Sequence, residues 1–182
     1  MRKNLFFILA GVFFVILAGA LLVNMQAKDN ITYHMGVSAF KRGDFKNAFE
    51  AFSALAEKGD VRAMGAVGLM YVRGLGVRTD EAVGAAWLAR AADEGDAEAM
   101  HSLGEMYENG QGVPRSRVVA LALYVNGERL GNEMARVFAL RLEPEMPAED
   151  VARARRMAER FAESEAVSGI IDRNLKKRSD AP

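Results

Sequence analysis

Four ionisable side chains stand at helical spacing between residues 98 and 108. Glu98, His101, Glu105 and Glu108 follow one another at intervals of three, four and three residues, which places them on one side of a single helix. Carboxylates beside a histidine can hold a cation or exchange protons with a substrate. The same spacing is typical of a solvated acidic face, and we favour that interpretation over catalysis. Neither of the two histidines in the chain has a second ligand at metal-binding spacing.

The rest of the composition offers few other groups for chemistry. His34 and His101 are the only histidines among the 182 residues, and the absence of cysteine excludes disulfides, thiolate metal sites and cysteine nucleophiles. No phosphate-binding loop and no nucleophile elbow is present. Basic and acidic residues number 24 each, so no net charge draws the chain to nucleic acid. We therefore expect that the protein is not an enzyme, that it binds no cofactor or metal, and that it has no nucleic-acid partner.

An internal repeat in the sequence predicts the helices that carry these side chains. Residues 61–96 align on residues 97–132 without a gap. Eleven identities recur in the 36 positions, at Ala63, Met64, Gly68, Met70, Tyr71, Gly74, Gly76, Val77, Val83, Ala86 and Gly95. A period of this length is typical of stacked helix-turn-helix units that bury their apolar faces against one another.

The glycines of the repeat predict how each unit is built. Gly68 and Gly104 fall in mid-helix, where glycine costs up to about 1 kcal/mol relative to alanine, so we expect two helix backbones to pack closely there. Gly74 and Gly76 should end the first helix. Asp80 should cap the second helix. The inward face of that second helix is predicted to comprise Ala82, Val83, Ala86, Trp87 and Ala91.

These motifs resemble the Sel1-like repeat, a relative of the tetratricopeptide repeat. The resemblance rests on Ala63, Val67, Gly68, Tyr71, Gly74, Gly76, Val77 and Asp80, and again on Ala99, Leu103, Gly104, Tyr107, Gly110, Gly112 and Val113. The second copy departs from the pattern at Ser116 and at residues 126–128. The resemblance implies an all-α solenoid of stacked helix pairs that works through protein partners.

The flanking residues complete the expected architecture. Residues 28–60 look like a plain tetratricopeptide unit, and residues 133–165 like a capping unit interrupted at Pro144–Pro147 and closed by an amphipathic helix with Val151, Ala154, Met157, Ala158 and Phe161 inward. Residues 166–182 form a basic tail that we expect to be solvated and frayed.

The amino-terminal residues predict one transmembrane helix before the solenoid. Residues 5–23 are 19 apolar residues without a charge or a proline, enough to cross a bilayer. Arg2 and Lys3 precede them, and the positive-inside rule then places the solenoid outside the cytoplasm. We favour a signal-anchor within residues 1–27 over a cleaved signal peptide because of its length. The alternative is cleavage after Ala18–Ala20 or after Ala27. By analogy with anchored repeat proteins, we expect a single-pass protein of the bacterial inner membrane with its solenoid in the periplasm.

The tetratricopeptide analogy also implies which residues face the concave groove. The expected groove residues are Tyr33, Val37, Lys41, Arg62, Leu69, Arg73, Glu98, His101, Glu105, Glu108 and Asn109. Their charges run from basic to acidic, which suits an extended peptide or a helix of another protein better than a small molecule. The alternatives are an enzyme or enzyme regulator acting on cell-wall material, with Glu105 and Glu108 as its acids, and a secreted repeat protein after signal cleavage.

The predicted anchor leads to a first test. Replacing Val15 and Ile16 with arginine should prevent membrane insertion, because each charge costs about 2.5–3.5 kcal/mol at the centre of a spanning helix. Cell fractionation measures this, with the unaltered chain expected in the membrane fraction until detergent releases it. A mature amino terminus near Leu21 or Lys28 would show that the segment is cleaved.

Overall fold

The computed structural model describes residues 2–163 and 166–179, and all the regular structure it contains is helical. A 3-10 turn at Glu143–Glu145 separates the seventh and eighth helices. The helices are α1 (Arg2–Lys41), α2 (Phe45–Ala56), α3 (Val61–Arg73), α4 (Glu81–Asp93), α5 (Ala97–Asn109), α6 (Arg117–Arg129), α7 (Glu133–Leu142), α8 (Ala148–Ala162) and α9 (Val167–Ser179).

The helices stack as consecutive pairs. α1 packs on α2, α3 on α4 and α5 on α6, and each pair also packs on the next through its second helix. One apolar core runs through all the pairs, from Ala39 in α1 to Ile171 in α9. The predicted all-α solenoid is confirmed.

Each of the helices α2 to α7 begins with the same capping interaction. A side chain just before the helix accepts a hydrogen bond from the backbone N–H three residues later, which satisfies a donor that has no partner within the helix. The capping residues are Asp44, Asp60, Asp80, Asp96, Ser116 and Asn132. Asp80 therefore acts as predicted, and Ser116 replaces it in the next unit without loss of the cap.

The predicted roles of the glycines after α3 are also observed. Gly74 adopts a left-handed conformation, with φ of 67°, and ends the helix. Gly76 has φ of 73°, and a side chain there would collide with the carbonyl oxygen of Phe45 in the preceding unit. The turn therefore both ends α3 and lies against α2.

Mid-helix glycines mark the close approach of the two helices within a unit. A Cβ atom on Gly68 would lie 2.8 Å from Cγ of Leu88 and 3.0 Å from the carbonyl oxygen of Gly84. In the next unit a Cβ atom on Gly104 would lie 2.5 Å from the ring of Tyr124. The predicted close approach of two helix backbones is thus found at Gly68, whereas Gly104 makes room for an aromatic ring of the second helix, as Gly36 does for Phe52 in the first unit.

The predicted inward face of α4 is wrong in most positions. Ala82, Val83 and Ala86 are exposed and Trp87 is half-buried, and only Ala91 of the predicted set is buried. The buried residues are Gly84, Ala85, Leu88, Ala91 and Ala92. Alanine occupies both sides of this helix, so hydrophobic periodicity fixes its facing poorly, whereas the crossing of Gly84 with Gly68 sets it in the structure.

The last helices leave the regular pattern. α8 packs chiefly on α6 and buries Ala154, Met157, Ala158 and Phe161, as predicted for the closing helix. The turn before it is held by Arg117 of α6, which pairs with Glu145, and by Arg155 of α8, 2.8 Å from Glu143. α6 is therefore covered on almost every side. α7 takes the place of the first helix of a further unit, but no helix of the described residues packs on it as the second helix of that unit.

The expectation of a solvated carboxyl-terminal tail is wrong for its first residues. Val167, Ile170 and Ile171 are buried, and α9 packs on α4 and α8. Asp93, at the end of α4, accepts hydrogen bonds from the backbone N–H and the hydroxyl of Ser168 at 2.9 and 2.8 Å. Sequence reasoning weighted the basic residues after position 172 and overlooked these three apolar residues. The side chains of residues 174–179 lie outside the described part.

α1 runs from Arg2 to Lys41 without a break, so the expected boundary at residue 27 falls inside one helix. Most of the predicted membrane segment, residues 5–14 and 16, has side chains outside the described part of the chain. Among the residues that are described, none of the helices has the length and apolar character needed to cross a bilayer.

The glycine crossing predicts opposite effects of the same substitution at two positions of α3. Gly68→Ala should lower the free energy of unfolding, because overpacking a tight contact costs about 1–3 kcal/mol. Gly65→Ala should be neutral or stabilising by up to about 1 kcal/mol, because a Cβ atom there lies 3.7 Å from its nearest neighbour, Asp96, and alanine favours the helix. Thermal unfolding followed by circular dichroism compares the two, and equal losses would contradict the crossing.

Candidate interaction groove

The first helices of the units form one continuous surface, and an apolar depression lies between α1 and α3. Its cavity is about 200 Å³. Val37, Lys41, Leu69 and Arg73, all predicted groove residues, line it together with Phe40, Phe52, Ala66, Met70 and Leu75. The structure therefore brings four of the predicted residues around one apolar space.

A second depression of about 300 Å³ lies beside the first, towards α5. Tyr33, Arg62 and Glu98 line it, and Leu69 and Ala66 line both depressions. Three further predicted residues thus share this surface. Its walls also include Asp96 and Ser102, which make it more polar than the first.

Arg62 is held in place from two sides at the wall of the second depression. Its guanidinium carbon lies 4.2 Å from the centre of the Tyr33 ring, and one guanidinium nitrogen lies 2.9 Å from a carboxylate oxygen of Asp60. Burial acts to raise the pKa of Asp60, but hydrogen bonds from Arg62 and from the N–H of Ala63 outweigh it and hold that pKa below its ordinary value. Asp60 is therefore charged at neutral pH, and the charge of Arg62 is largely balanced.

Lys41 and Arg73 differ from Arg62 in this respect. Both are exposed at the rim of the first depression, and neither has a carboxylate at ion-pair distance within the described residues. Two cations without partners beside an apolar space can bind a ligand that is both apolar and anionic.

Glu108 serves as a structural contact instead of a free groove carboxylate. Its two oxygens accept hydrogen bonds from the guanidinium of Arg141 on α7 at 2.9 and 2.7 Å, and from the hydroxyl of Tyr124 on α6 at 3.0 Å. Burial acts to raise the pKa of Glu108, yet the hydrogen bonds from Arg141 and Tyr124 bring that pKa below its ordinary value. This cluster of three residues, the α5–α7 clasp, ties three helices together.

His101 is buried beneath the groove surface. Its ring meets the ring of Phe138 edge to face with 4.8 Å between centroids, and neither ring nitrogen has a hydrogen-bond partner among the described residues. The nearest carboxylate oxygen, of Glu105, lies 4.0 Å from Nε2. His101, which was predicted to face the groove, therefore packs between α5 and α7 instead.

The four-residue acidic side predicted on α5 is divided among different partners. Glu98 accepts a hydrogen bond from the side chain of Asn132 at 2.8 Å, Glu105 remains half-exposed, and Asn109 is exposed at the end of the helix. Because Arg141 neutralises Glu108, the acidic half of the groove is weaker than the sequence predicted. No group of three or more residues able to hold a metal ion is found in the described part of the chain.

Sequence reasoning missed the apolar floor of the first depression and both partners of Glu108. Phe40, Ala66 and Leu75 lie near predicted groove residues, so neighbouring apolar positions on α1, on α3 and in the turn after α3 gave a usable signal. Tyr124 and Arg141 lie 16 and 33 residues from Glu108, and no local pattern relates them.

Comparison with known proteins agrees with this geometry. Residues 61–96 and 97–132 each match the model of the Sel1 repeat. A solved structure of a protective antigen of uropathogenic Escherichia coli displaying an SLR fold matches 83% of this chain with a TM-score of 0.73 and 26% identity. A Sel1 repeat protein from Oxalobacter formigenes matches 71% of this chain with a TM-score of 0.60 and 22% identity, which shows the fold alone.

Both of these proteins are longer than the part that this chain matches. The matched region covers 33% of the Escherichia coli antigen chain and 55% of the Oxalobacter formigenes chain. Among the curated proteins, none matches this sequence. The Sel1 repeat model thus matches residues 61–132 of this chain, and the fold is similar to that of the SLR structure.

The α5–α7 clasp predicts a pH-dependent contribution to stability. Glu108→Gln should lower the free energy of unfolding at neutral pH by about 1–3 kcal/mol, since it removes the charge opposite Arg141. The pKa of Glu108 is lower in the folded chain, so its contribution is complete above the ordinary glutamate pKa of about 4.3 and is lost as the pH falls below that value.

Denaturant titrations between pH 7 and pH 3 measure this dependence. The difference between the original chain and the Glu108→Gln variant should shrink on acidification. Glu105→Gln is the control, because Glu105 has no hydrogen-bonded cation, and it should change stability little at any of these pH values. A constant difference for Glu108→Gln across the titration would contradict the ionised clasp.

Proposed function

We propose that this chain is a non-catalytic interaction scaffold that binds a segment of another protein along its groove. The observation that carries the proposal is the apolar depression between α1 and α3, with Lys41 and Arg73 exposed at its rim and no ion pair to either within the described residues. The Sel1 repeats support the general role, because repeat solenoids present extended concave surfaces for partners.

The size of the depression favours one side chain of a peptide over a small molecule. Sites for small molecules usually occupy about 300–1,000 Å³ and enclose most of the ligand. The first depression, at about 200 Å³, is smaller than that, and it continues into its neighbour along α3. An extended or helical segment that inserts an apolar side chain at successive depressions fits this surface.

The charges around the depressions define the partner further. Lys41 and Arg73 favour a carboxylate next to the inserted apolar side chain, whereas Arg62 is already balanced by Asp60. We therefore propose a partner segment with an acidic residue beside a large apolar residue. Charged groups at such a rim chiefly raise the rate of association and contribute less to the binding free energy.

We also propose that the scaffold is tethered to the inner membrane with its groove on the extracytoplasmic side. The support is the amino-acid sequence of residues 5–23 and the basic residues before them. α1 continues from this segment into the first repeat unit, so the tether and the groove would share one helix.

Site-specific photo-crosslinking in cells tests the proposed groove. A photoreactive amino acid at Leu69, on the wall shared by both depressions, should give a defined adduct with another protein. The double variant Lys41→Glu/Arg73→Glu should reduce that adduct several-fold and make the remainder more sensitive to salt, because the rim then repels an acidic segment.

The matched control reverses two arginines away from the depressions. Arg129 and Arg156 are exposed at the end of α6 and on α8, so Arg129→Glu/Arg156→Glu makes the same change of net charge. This control should leave the Leu69 adduct unchanged. Loss of the adduct in the control with retention in the Lys41/Arg73 variant would refute the groove proposal.

A further inference from the structure

α7 exposes an apolar face that nothing in the described part of the chain covers. Met134, Val137 and Leu140 are 52%, 50% and 62% exposed, and Leu130 just before the helix is 50% exposed. On the opposite side of α7, Ala135, Ala139 and Leu142 are buried in the core. We name the four exposed residues the end patch, since they lie on and just before α7, the last helix that holds the first-helix position of a repeat unit.

The repeat period explains why no helix within the described residues covers the end patch as a second helix would. Adding 36 residues to Gly68 gives Gly104, and adding 36 again gives Leu140. The two glycines admit the second helix of their units at distances that no side chain tolerates. The side chain of Leu140 leaves no room for a second helix at such a short distance. α8 instead packs chiefly on α6.

Charges at the two ends of α7 are arranged symmetrically about Val137. Glu133 lies four residues before Val137 and Arg141 four residues after it, while Met134 and Leu140 lie three residues to either side. Each charged residue has a partner in its own chain, Glu133 at 2.9 Å from Arg136 and Arg141 at 2.7 Å from Glu108. Both remain accessible, with 78% and 47% of their side chains exposed, so each can meet a further charge.

We propose that the end patch binds a second copy of this chain, with two α7 helices antiparallel about a two-fold axis at Val137. The axis places Glu133 of each copy level with Arg141 of the other, and Met134 level with Leu140. A parallel arrangement would instead bring like charges together. The contact is the same patch on both copies, so it closes with two chains and does not propagate into a filament.

The proposed dimer is weak and specific. A stable interface buries about 800 Å² on each partner, and the four half-exposed side chains of the end patch cover less than that. Complementary charges therefore set the register and the orientation more than the affinity. Substitution of Glu133, which lies outside the α5–α7 clasp, should accordingly change the dimer without unfolding the chain.

A single-cysteine experiment on the full chain tests the two-fold axis, because the native sequence contains no cysteine. A disulfide needs Cβ atoms about 3.8 Å apart, which only a residue on the axis of a close helix pair provides. Under mild oxidation, Val137→Cys should give several-fold more disulfide-linked dimer than Glu159→Cys, an exposed control on α8. Equal yields from the two variants would overturn the proposal.

Two further measurements separate the antiparallel pair from other arrangements. In the Val137→Cys background, Glu133→Arg should lower the dimer yield several-fold, because it sets two arginines level with each other, and Glu159→Arg should not. If Val137→Cys links to Met35→Cys, 64% exposed on α1, more readily than to itself, the copies stack head to tail and the two-fold axis is wrong. Crosslinking of Val137→Cys only to a different protein would overturn it as well.

Discussion

The close approach of two helix backbones at a glycine determines the rest of this structure. Where Gly68 crosses Gly84, each residue's missing side chain makes room for the other helix, and a Cβ atom on either glycine would contact backbone at 3.0 Å or less. At the equivalent position of the next unit, Gly104 makes room for the ring of Tyr124. Because both helices of a unit are fixed in this way, the first helices line up on one side of the stack, where the two apolar depressions form.

The solenoid changes character at the position where the glycine is lost. Leu140 replaces it in α7, α8 turns away to cover α6, and α9 places Val167, Ile170 and Ile171 into the core beside α4 and α8. The chain thereby covers the second helices well and leaves the end patch exposed. One substitution in the repeat pattern thus accounts for both the closed side and the open side of this terminus.

Charged residues divide between structural and surface roles according to what lies across from them. Glu108 and Asp60 are each opposed by an arginine within hydrogen-bond distance, and these contacts lower both carboxyl pKa values despite burial. Lys41 and Arg73 have no opposing carboxylate in the described residues and stay available at the rim of the groove. The same residue types therefore stabilise the stack in one place and offer a binding surface in another.

The sequence by itself determined the features that depend on short-range periodicity. The 36-residue repeat, the cap at Asp80, the left-handed Gly74 and the need for glycine at position 68 all follow from local backbone requirements. Only the tertiary structure decided the facing of the alanine-rich α4, the burial of His101 and the pairing of Glu108 with Arg141. Those outcomes depend on contacts between residues tens of positions apart. The local sequence around an alanine or a single charged residue does not indicate which distant residue it will contact.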